Sequence, residues 1–517
     1  MRVIRRRLGC LVAWAVLSLV SPASAVERTS AFRAALDSIS HDQLQQHVDF
    51  LADDALEGRE AGTAGATQAA DYLAARLDDL GLRGAGGDGS FFQPFEPSYR
   101  NVLAVIEGSD PDLKRQHVVV GAHYDHIGLG TRRNSRGPVG QIHNGADDNA
   151  SGTSGLLELA EAFTMLPTPP KRSILLAFWD AEEKGMLGSK HWTAHPTVPL
   201  EQVVAALNVD MIGRLRDDRL YVYGSRLGYG WRRLVSEEND DSRLLVEFPR
   251  ECDPNSDHWP FVDRGIPALM LHTGVHDEYH RPTDKAHLIH AEGMRRVTRL
   301  LFALAYDLAD RSELPAFRAA GRHENDAKQG GLLAQNPPRP DRLGITWDRH
   351  GPSGRGVRIS GVRVGSAADL AGIRPGDRIV EVAGRPIRDG DGLVWAVASA
   401  PNAAGIVVER TGRDAPLHLT AELEGTPLRL GITWHVDDAE PGTVVLTHVV
   451  AGSPAARAGL QAGDRVYQIA GRDFADETEF ARWAAHLPAP LQLVIERDGR
   501  LHSVELRPQS ETVRQAA

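Results

Sequence analysis

The sequence predicts an α/β protein in which a three-layer, mostly parallel sheet carries helices on both faces, followed by two small β-rich modules. Three observations lead there. Apolar runs alternate with helical patterns from Val26 to about Arg311. Two stretches near the C-terminus recur at one offset of 87 residues. A segment bearing Pro, Gly, Asn and Gln, with little periodicity, separates these regions.

The runs at 117–121, 173–178, 203–208 and 268–272 are short and almost wholly apolar. Strands covered on both faces lose the polar alternation of half-buried ones, so these runs predict interior strands. Helical patterns at 66–80 and 153–165 lie before or between them. That order implies a mostly parallel sheet covered by helices.

In the C-terminal region, Leu343-Gly344-Ile345-Thr346-Trp347 recurs as Leu430-Gly431-Ile432-Thr433-Trp434, and GSAADLAGIRPGDRIVEVAGR at 365–385 recurs as GSPAARAGLQAGDRVYQIAGR at 452–472. Two matches at one offset mean two copies of a compact unit. The division expected is a leader at 1–25, a first domain at 26–311, a linker at 312–340, repeats at 341–423 and 424–508, and a tail at 509–517.

Composition excludes several classes. Of 517 residues, 42% are apolar and 25% charged, as in ordinary globular protein. Lys and Arg number 58 against 69 Asp and Glu, a net charge of −11, which makes the chain a poor candidate for a phosphate-backbone binder. Only Cys10 and Cys252 occur, so neither a disulfide framework nor a Cys-rich zinc site is expected. Arg2, Arg5, Arg6 and Arg7, an apolar stretch at 8–20 and Ala23-Ser24-Ala25 form the pattern of a secretory signal peptide. The expectation is a protein exported to the periplasm or secreted, with no membrane span once the leader is cleaved.

The chemistry sits just after the apolar runs. The first ends in His123-Tyr124-Asp125-His126, and a loop follows with Asn144-Gly145-Ala146-Asp147-Asp148-Asn149. The next run leads to Asp180-Ala181-Glu182-Glu183, the next to Asp210, and the last to His276-Asp277-Glu278-Tyr279-His280 and Asp284. In an open α/β sheet the carboxyl ends of the strands share one crevice. Carboxylates gathered there repel one another unless a cation joins them. Mixed imidazole and carboxylate donors suit zinc, and also cobalt or manganese.

On these motifs, and on Leu51-Ala52-Asp53-Asp54-Ala55-Leu56-Glu57-Gly58-Arg59 with Gly62-Thr63, the sequence resembles the zinc exopeptidases of metallopeptidase family twenty-eight over roughly residues 42–307. That family includes bacterial secreted aminopeptidases. The resemblance implies two Zn²⁺ per chain. His123 and Asp210 would hold one ion, Glu183 and His280 the other, and Asp147 would bridge both. Glu182 would be the general base, and Asp125 would orient His123. Asp284 would support the closing motif. His126, His143 and His276 receive no role. Asp257, His258 and Phe261 either line the substrate pocket or pack the wall of the cleft. The activity implied is release of N-terminal residues from peptide substrates. Carboxypeptidase, glutaminyl cyclase and a non-catalytic scaffold are the rivals on the same fold.

The two repeats resemble bacterial PDZ domains. Leu343, Gly344 and Ile345, and equally Leu430, Gly431 and Ile432, match the carboxylate-binding loop and its strand. The resemblance implies recognition of peptide or protein C-termini by strand addition. Docking onto the first domain is the alternative.

Overall fold

The computed structural model describes residues 29–325, 342–347 and 354–508. The leader at 1–25, most of the linker and the tail at 509–517 lie outside the described residues. Among those described, no helix is long and apolar enough to cross a membrane.

The first domain is built on a nine-stranded mixed sheet. Its strands are β1 (Arg83–Gly84), β2 (Phe92–Phe95), β3 (Tyr99–Ile106), β4 (His117–His123), β5 (Ser173–Trp179), β6 (Val203–Val209), β7 (Arg219–Tyr223), β8 (Leu245–Glu247) and β9 (Ala268–His272). They run in the order β1-β3-β5-β4-β6-β9-β7-β8, with β2 on β3. The four runs expected to be interior strands are β5, β4, β6 and β9, side by side and mutually parallel. Antiparallel strands close both flanks, β3 on β5 and β7 on β9.

Alternate side chains of the central strands feed two cores. Val118, Val120, Ala122, Ile174, Leu176 and Phe178 face one layer, and Val119, Leu175, Ala177 and Trp179 the other. The first layer holds α1 (Ser30–Ser38), α2 (His41–Leu51), α3 (Ala64–Asp79) and α4 (Gly152–Thr164); α5 (Leu187–Ala194) lies in the second layer, α6 (Trp231–Glu238) in the first, α7 (Trp259–Asp263) in the second and α8 (Ala291–Asp310) in the first. Trp192 of α5 and Phe261 of α7 pack in the second layer with Trp179. Glycine is required where α4 starts. A Cβ on Gly152 would stand 2.7 Å from the Val209 carbonyl oxygen, so the helix is pressed against the end of β6.

Each repeat forms its own six-stranded sheet and its own core. The second repeat is docked on the first domain. Arg226 Nη1 donates to both Asp437 oxygens at 2.7 and 2.9 Å, and Arg232 grips Glu496 through Nε at 2.8 Å and Nη2 at 3.0 Å. Glu440 accepts from the backbone N–H groups of Arg232 and Arg233 at 2.9 and 3.3 Å. It thereby satisfies donors that the first turn of α6 leaves open. The Val246 N–H of β8 donates to the Asp498 carbonyl at 2.9 Å.

The start of the expected linker is also fixed. Residues Ala319–His323 form a short 3-10 turn. Glu324 joins Arg318, at 2.6 Å, to Arg226. Arg226 lies 98 residues before Glu324, so the segment reads as a linker until the fold brings the two together.

The two repeats also touch. The Leu428 N–H donates to the Ala398 carbonyl at 2.9 Å. A Cβ on Gly431 would lie 3.2 Å from the ring of Trp395, and one on Gly452 would lie 2.8 Å from the Asp391 carbonyl oxygen. The loop Leu430-Gly431-Ile432 is therefore covered by the helix Gly390–Ser399 of the first repeat.

Glu496 is fully buried, and removing its partner would strand a charge. Arg232→Ala is expected to cost about 3 kcal/mol in urea denaturation. Arg76→Ala, which breaks an exposed pair with Asp79, is expected to cost under about 0.5 kcal/mol.

Candidate metal centre

The carboxyl ends of β4, β5 and β6 open into one crevice. β4 delivers His123 at its last position, buried, with its Nε2 aimed into that crevice. His123 Nε2 lies 3.4 Å from Asp210 Oδ1 and 3.5 Å from Asp148 Oδ1. On the opposite side, His280 Nε2 lies 3.1 Å from Asp148 Oδ2 and 3.3 Å from Glu183 Oε2. The two oxygens of Asp148 thus face two different donor groups.

Neighbouring polar groups fix these orientations. His123 Nδ1 faces the Asp125 carbonyl at 3.2 Å, and His280 Nδ1 faces the Asn134 carbonyl at 2.8 Å. Each ring therefore turns its Nε2 toward the cluster. The Asp125 carboxylate lies 3.6 Å from His123 Nδ1 and also accepts the Glu182 N–H at 2.9 Å and the Glu183 N–H at 3.4 Å. It positions the base candidate as well as the imidazole. Ser256 Oγ donates to Asp210 Oδ2 at 2.7 Å. Asp284 Oδ2 accepts from the N–H groups of Asp147 and Asp148 at 2.9 and 3.2 Å and so holds the turn, while the His280 ring is set by the Asn134 carbonyl.

The bridge expected at Asp147 is corrected to its neighbour. Asp147 Oδ1 accepts from the Gly213 N–H at 2.6 Å and Ser151 Oγ at 3.0 Å, while Oδ2 faces His276 Nε2 at 3.1 Å. Both oxygens are engaged away from His123 and His280. The cause is a break in the turn at Ala146–Ser151, where Asp148 (φ −104, ψ 95) and Asn149 (φ −129, ψ 42) leave helical geometry. Successive side chains then diverge, and Asp148 alone enters the crevice. Asn149 holds the break in place: its Nδ2 donates to the Val209 carbonyl at 2.9 Å, and its Oδ1 accepts from the Gly152 N–H at 2.9 Å.

His126, given no role from sequence, belongs to the cluster. Its Nδ1 lies 2.7 Å from Glu183 Oε1 and 3.8 Å from Asp148 Oδ2. Its only sequence signal is its place three residues after His123. His143 instead bonds Ser135 Oγ through Nε2 at 2.8 Å. Asp257, His258 and Phe261 pack the wall and do not line an open pocket, being 1%, 0% and 2% exposed. Asp257 is held by Ser189, His258 lies 3.4 Å from Cys252 Sγ, and Phe261 packs with Trp179 and Trp192.

The electrostatics call for cations. Burial works against charge throughout the cluster, yet opposite charges prevail at several groups. Burial lowers His280, but Asp148 and Glu183 outweigh it and raise this imidazole to about 11. Burial also opposes charge on His123, but Asp210 and Asp125 hold it well above the usual imidazole range. Asp210 is held down at about 2 by His123, against its own burial. Glu182 is the exception. Burial, with the carboxylates of Asp257, Glu183 and Asp210, holds it well above the usual range despite His123. The acids that raise these imidazoles are the ones that a bound cation would neutralise. Asp210 Oδ1 is buried without a hydrogen-bond partner, facing His123 Nε2. Two donor groups have metal-binding geometry: His123, Asp148 and Asp210, and His126, Asp148 and Glu183. These oxygen and imidazole donors are of the kind that suits zinc, and His280 lies beside the second group.

The profile of Peptidase family M28 matches residues 101–305, and that of the PDZ domain matches 358–405 and 445–497. The chain is 28% identical over 283 residues to leupeptin-inactivating enzyme 1 of Streptomyces exfoliatus, covering 53% of this chain and 59% of that protein. It is 28% identical over 219 residues to aminopeptidase YwaD of Bacillus subtilis, covering 40% of this chain and 43% of that protein. The matches therefore span less than two thirds of these relatives. Among solved structures, the Legionella pneumophila LapA aminopeptidase aligns with a TM-score of 0.46 and 23% identity, covering 55% of this chain and 75% of that one.

Asp148→Asn is expected to lower bound metal at both donor groups, read by elemental analysis after dialysis. Asp147→Asn is expected to keep the metal content of the parent. The reverse pattern would restore Asp147 as the bridge.

Proposed function

Since this chain carries a Peptidase family M28 domain followed by two PDZ domains, we propose that it is a dizinc aminopeptidase that removes N-terminal residues from peptides. The observation that carries this reading is the divided carboxylate of Asp148. One oxygen lies beside His123 and Asp210, the other beside His280 and Glu183, and Glu182 stands at the same edge of the sheet. Export is part of the proposal and is supported by the leader pattern at 1–25.

In this reading His123, Asp148 and Asp210 would hold one ion, and Glu183 and His280, with Asp148 and His126 beside them, would hold the other. Zinc bound there would acidify a water and polarise the scissile carbonyl. Glu182 takes the proton from the attacking water and passes it to the leaving amine. Burial and the surrounding carboxylates raise its proton affinity, which suits a group that must both accept and return a proton. Asp125 fixes the Glu182 backbone, so the base is presented by the same carboxylate that orients His123.

For the PDZ modules, the covered loop Leu430-Gly431-Ile432 and the ion pairs from Arg226 and Arg232 support a bracing role for the second. Recruitment of peptide or protein C-termini is then confined to the first, around Leu343, Gly344 and Ile345.

Free and N-acetylated aminoacyl substrates, assayed with zinc and with chelator, test the function. Cleavage of free forms only, abolished by chelation, is expected. Cleavage of N-blocked peptides from the other end would make it a carboxypeptidase. Glu182→Gln is expected to retain metal and lose about 10²–10⁴-fold in kcat. Near-parental turnover would remove Glu182 as the base.

A further inference from the structure

The segment Leu51-Ala52-Asp53-Asp54-Ala55-Leu56-Glu57-Gly58-Arg59 supplies neither a metal donor nor the base, yet it ends at the back of the metal centre. Arg59 is 0% exposed. The approach to it is sterically demanding. Glu57, Gly58 and Arg59 take φ values of 48°, 72° and 50°, three left-handed residues in a row. Two of them carry side chains, which that region disfavours. A Cβ on Gly58 would stand 2.3 Å from the His143 carbonyl oxygen and 2.7 Å from that of Gly128. The chain therefore passes between two loops of the site at a point where only glycine fits.

The guanidinium at the end of this path bonds main chain only. Nε donates to the Tyr124 carbonyl at 2.8 Å. Nη1 donates to the Asn144 carbonyl at 2.6 Å and also to the Leu51 carbonyl at the end of α2. Nη2 donates to the Gly145 carbonyl at 3.0 Å. The backbone adds two ties: the His126 N–H to the Arg59 carbonyl at 3.2 Å, and the Gly128 N–H to the Gly58 carbonyl at 3.1 Å. Tyr124 lies between His123 and Asp125, while Asn144 and Gly145 open the turn that carries Asp148. The two segments that must meet across the metal centre are thus joined through one side chain.

We propose that Arg59 is a positioning residue that sets the separation of the His123–His126 segment from the Asp148 turn, and so preforms the binuclear site. This inference rests on the reading of that site as a metal centre. A planar fork with five donors can hold several carbonyls in fixed directions. A lysine ammonium in the same place cannot span them with one geometry. The charge also matters. Burial works against this charge, and the carboxylates of Asp125, Asp148, Asp284 and Glu183 favour it, so a cation there offsets part of their repulsion before any metal arrives. Arg59 reaches no substrate, because it is sealed behind the loops it joins.

The test is calorimetric titration of zinc into metal-free protein, for the parent, Arg59→Lys, Arg59→Met and Arg172→Lys. Arg172 is the control. It is also buried and also donates to carbonyls, those of Leu308 and Arg311, at a place outside the donor groups of the metal centre. Urea denaturation of each metal-free protein measures folding separately. Arg59→Lys keeps the charge and is the milder change should Arg59→Met not fold. A loss of about 10–100-fold in zinc affinity is expected for Arg59→Lys, as for other groups that support metal ligands. Arg172→Lys is expected to lose stability and keep its zinc affinity. The cobalt-substituted form of Arg59→Lys is expected to show an altered visible spectrum. Parental affinity and spectrum in folded Arg59→Lys would overturn the role of Arg59 and leave the metal centre standing. Failure of the parent itself to bind zinc would overturn both.

Discussion

Mutual repulsion among buried carboxylates governs this molecule. Asp125, Asp148, Glu183 and Asp210 converge at the carboxyl edge of a sheet whose central strands are covered on both faces. Such groups remain charged together only when cations stand between them. Within the chain, the imidazoles of His123 and His280 stand among these acids, and the Arg59 guanidinium lies behind the loops that carry them. The donors left facing one another are the ones that bound metal would take over.

The scaffold explains why this crowding is tolerated. β4, β5 and β6 are locked in parallel register, and their ends cannot move apart without breaking the sheet. Bonds to main chain then set each polar side chain. Asp125 holds the N–H groups of Glu182 and Glu183, Asp284 those of Asp147 and Asp148, and Asn149 the end of β6. The carboxylates that do not face the cluster centre serve as acceptors that shape the loops carrying those that do.

The docked second repeat extends the same logic to the far flank of the sheet. Asp437, Glu440 and Glu496 meet Arg226, Arg232 and the start of α6, so charges of the two domains neutralise one another across the junction. From β8, which this repeat touches, the chain runs on to Ser256, whose hydroxyl orients Asp210. The repeat and the metal centre therefore share a short stretch of backbone.

By itself the sequence determined the four central strands, the repeats and the motifs after each of those strands, because apolar runs, a fixed offset and clustered acids are local patterns; the flanking strands, shorter or less apolar, were not legible. It could not choose between Asp147 and Asp148, which stand side by side in one motif. The backbone break at Asp148 and Asn149 decides which carboxylate turns inward, and that break is held by bonds to β6 and Asp284 from elsewhere in the chain. The burial of Asp257, His258 and Phe261, the entry of His126 into the cluster and the covering of Gly431 by Trp395 were likewise tertiary outcomes. Each depends on which surfaces meet once the sheet and the repeats have packed, and no spacing along the chain encodes that.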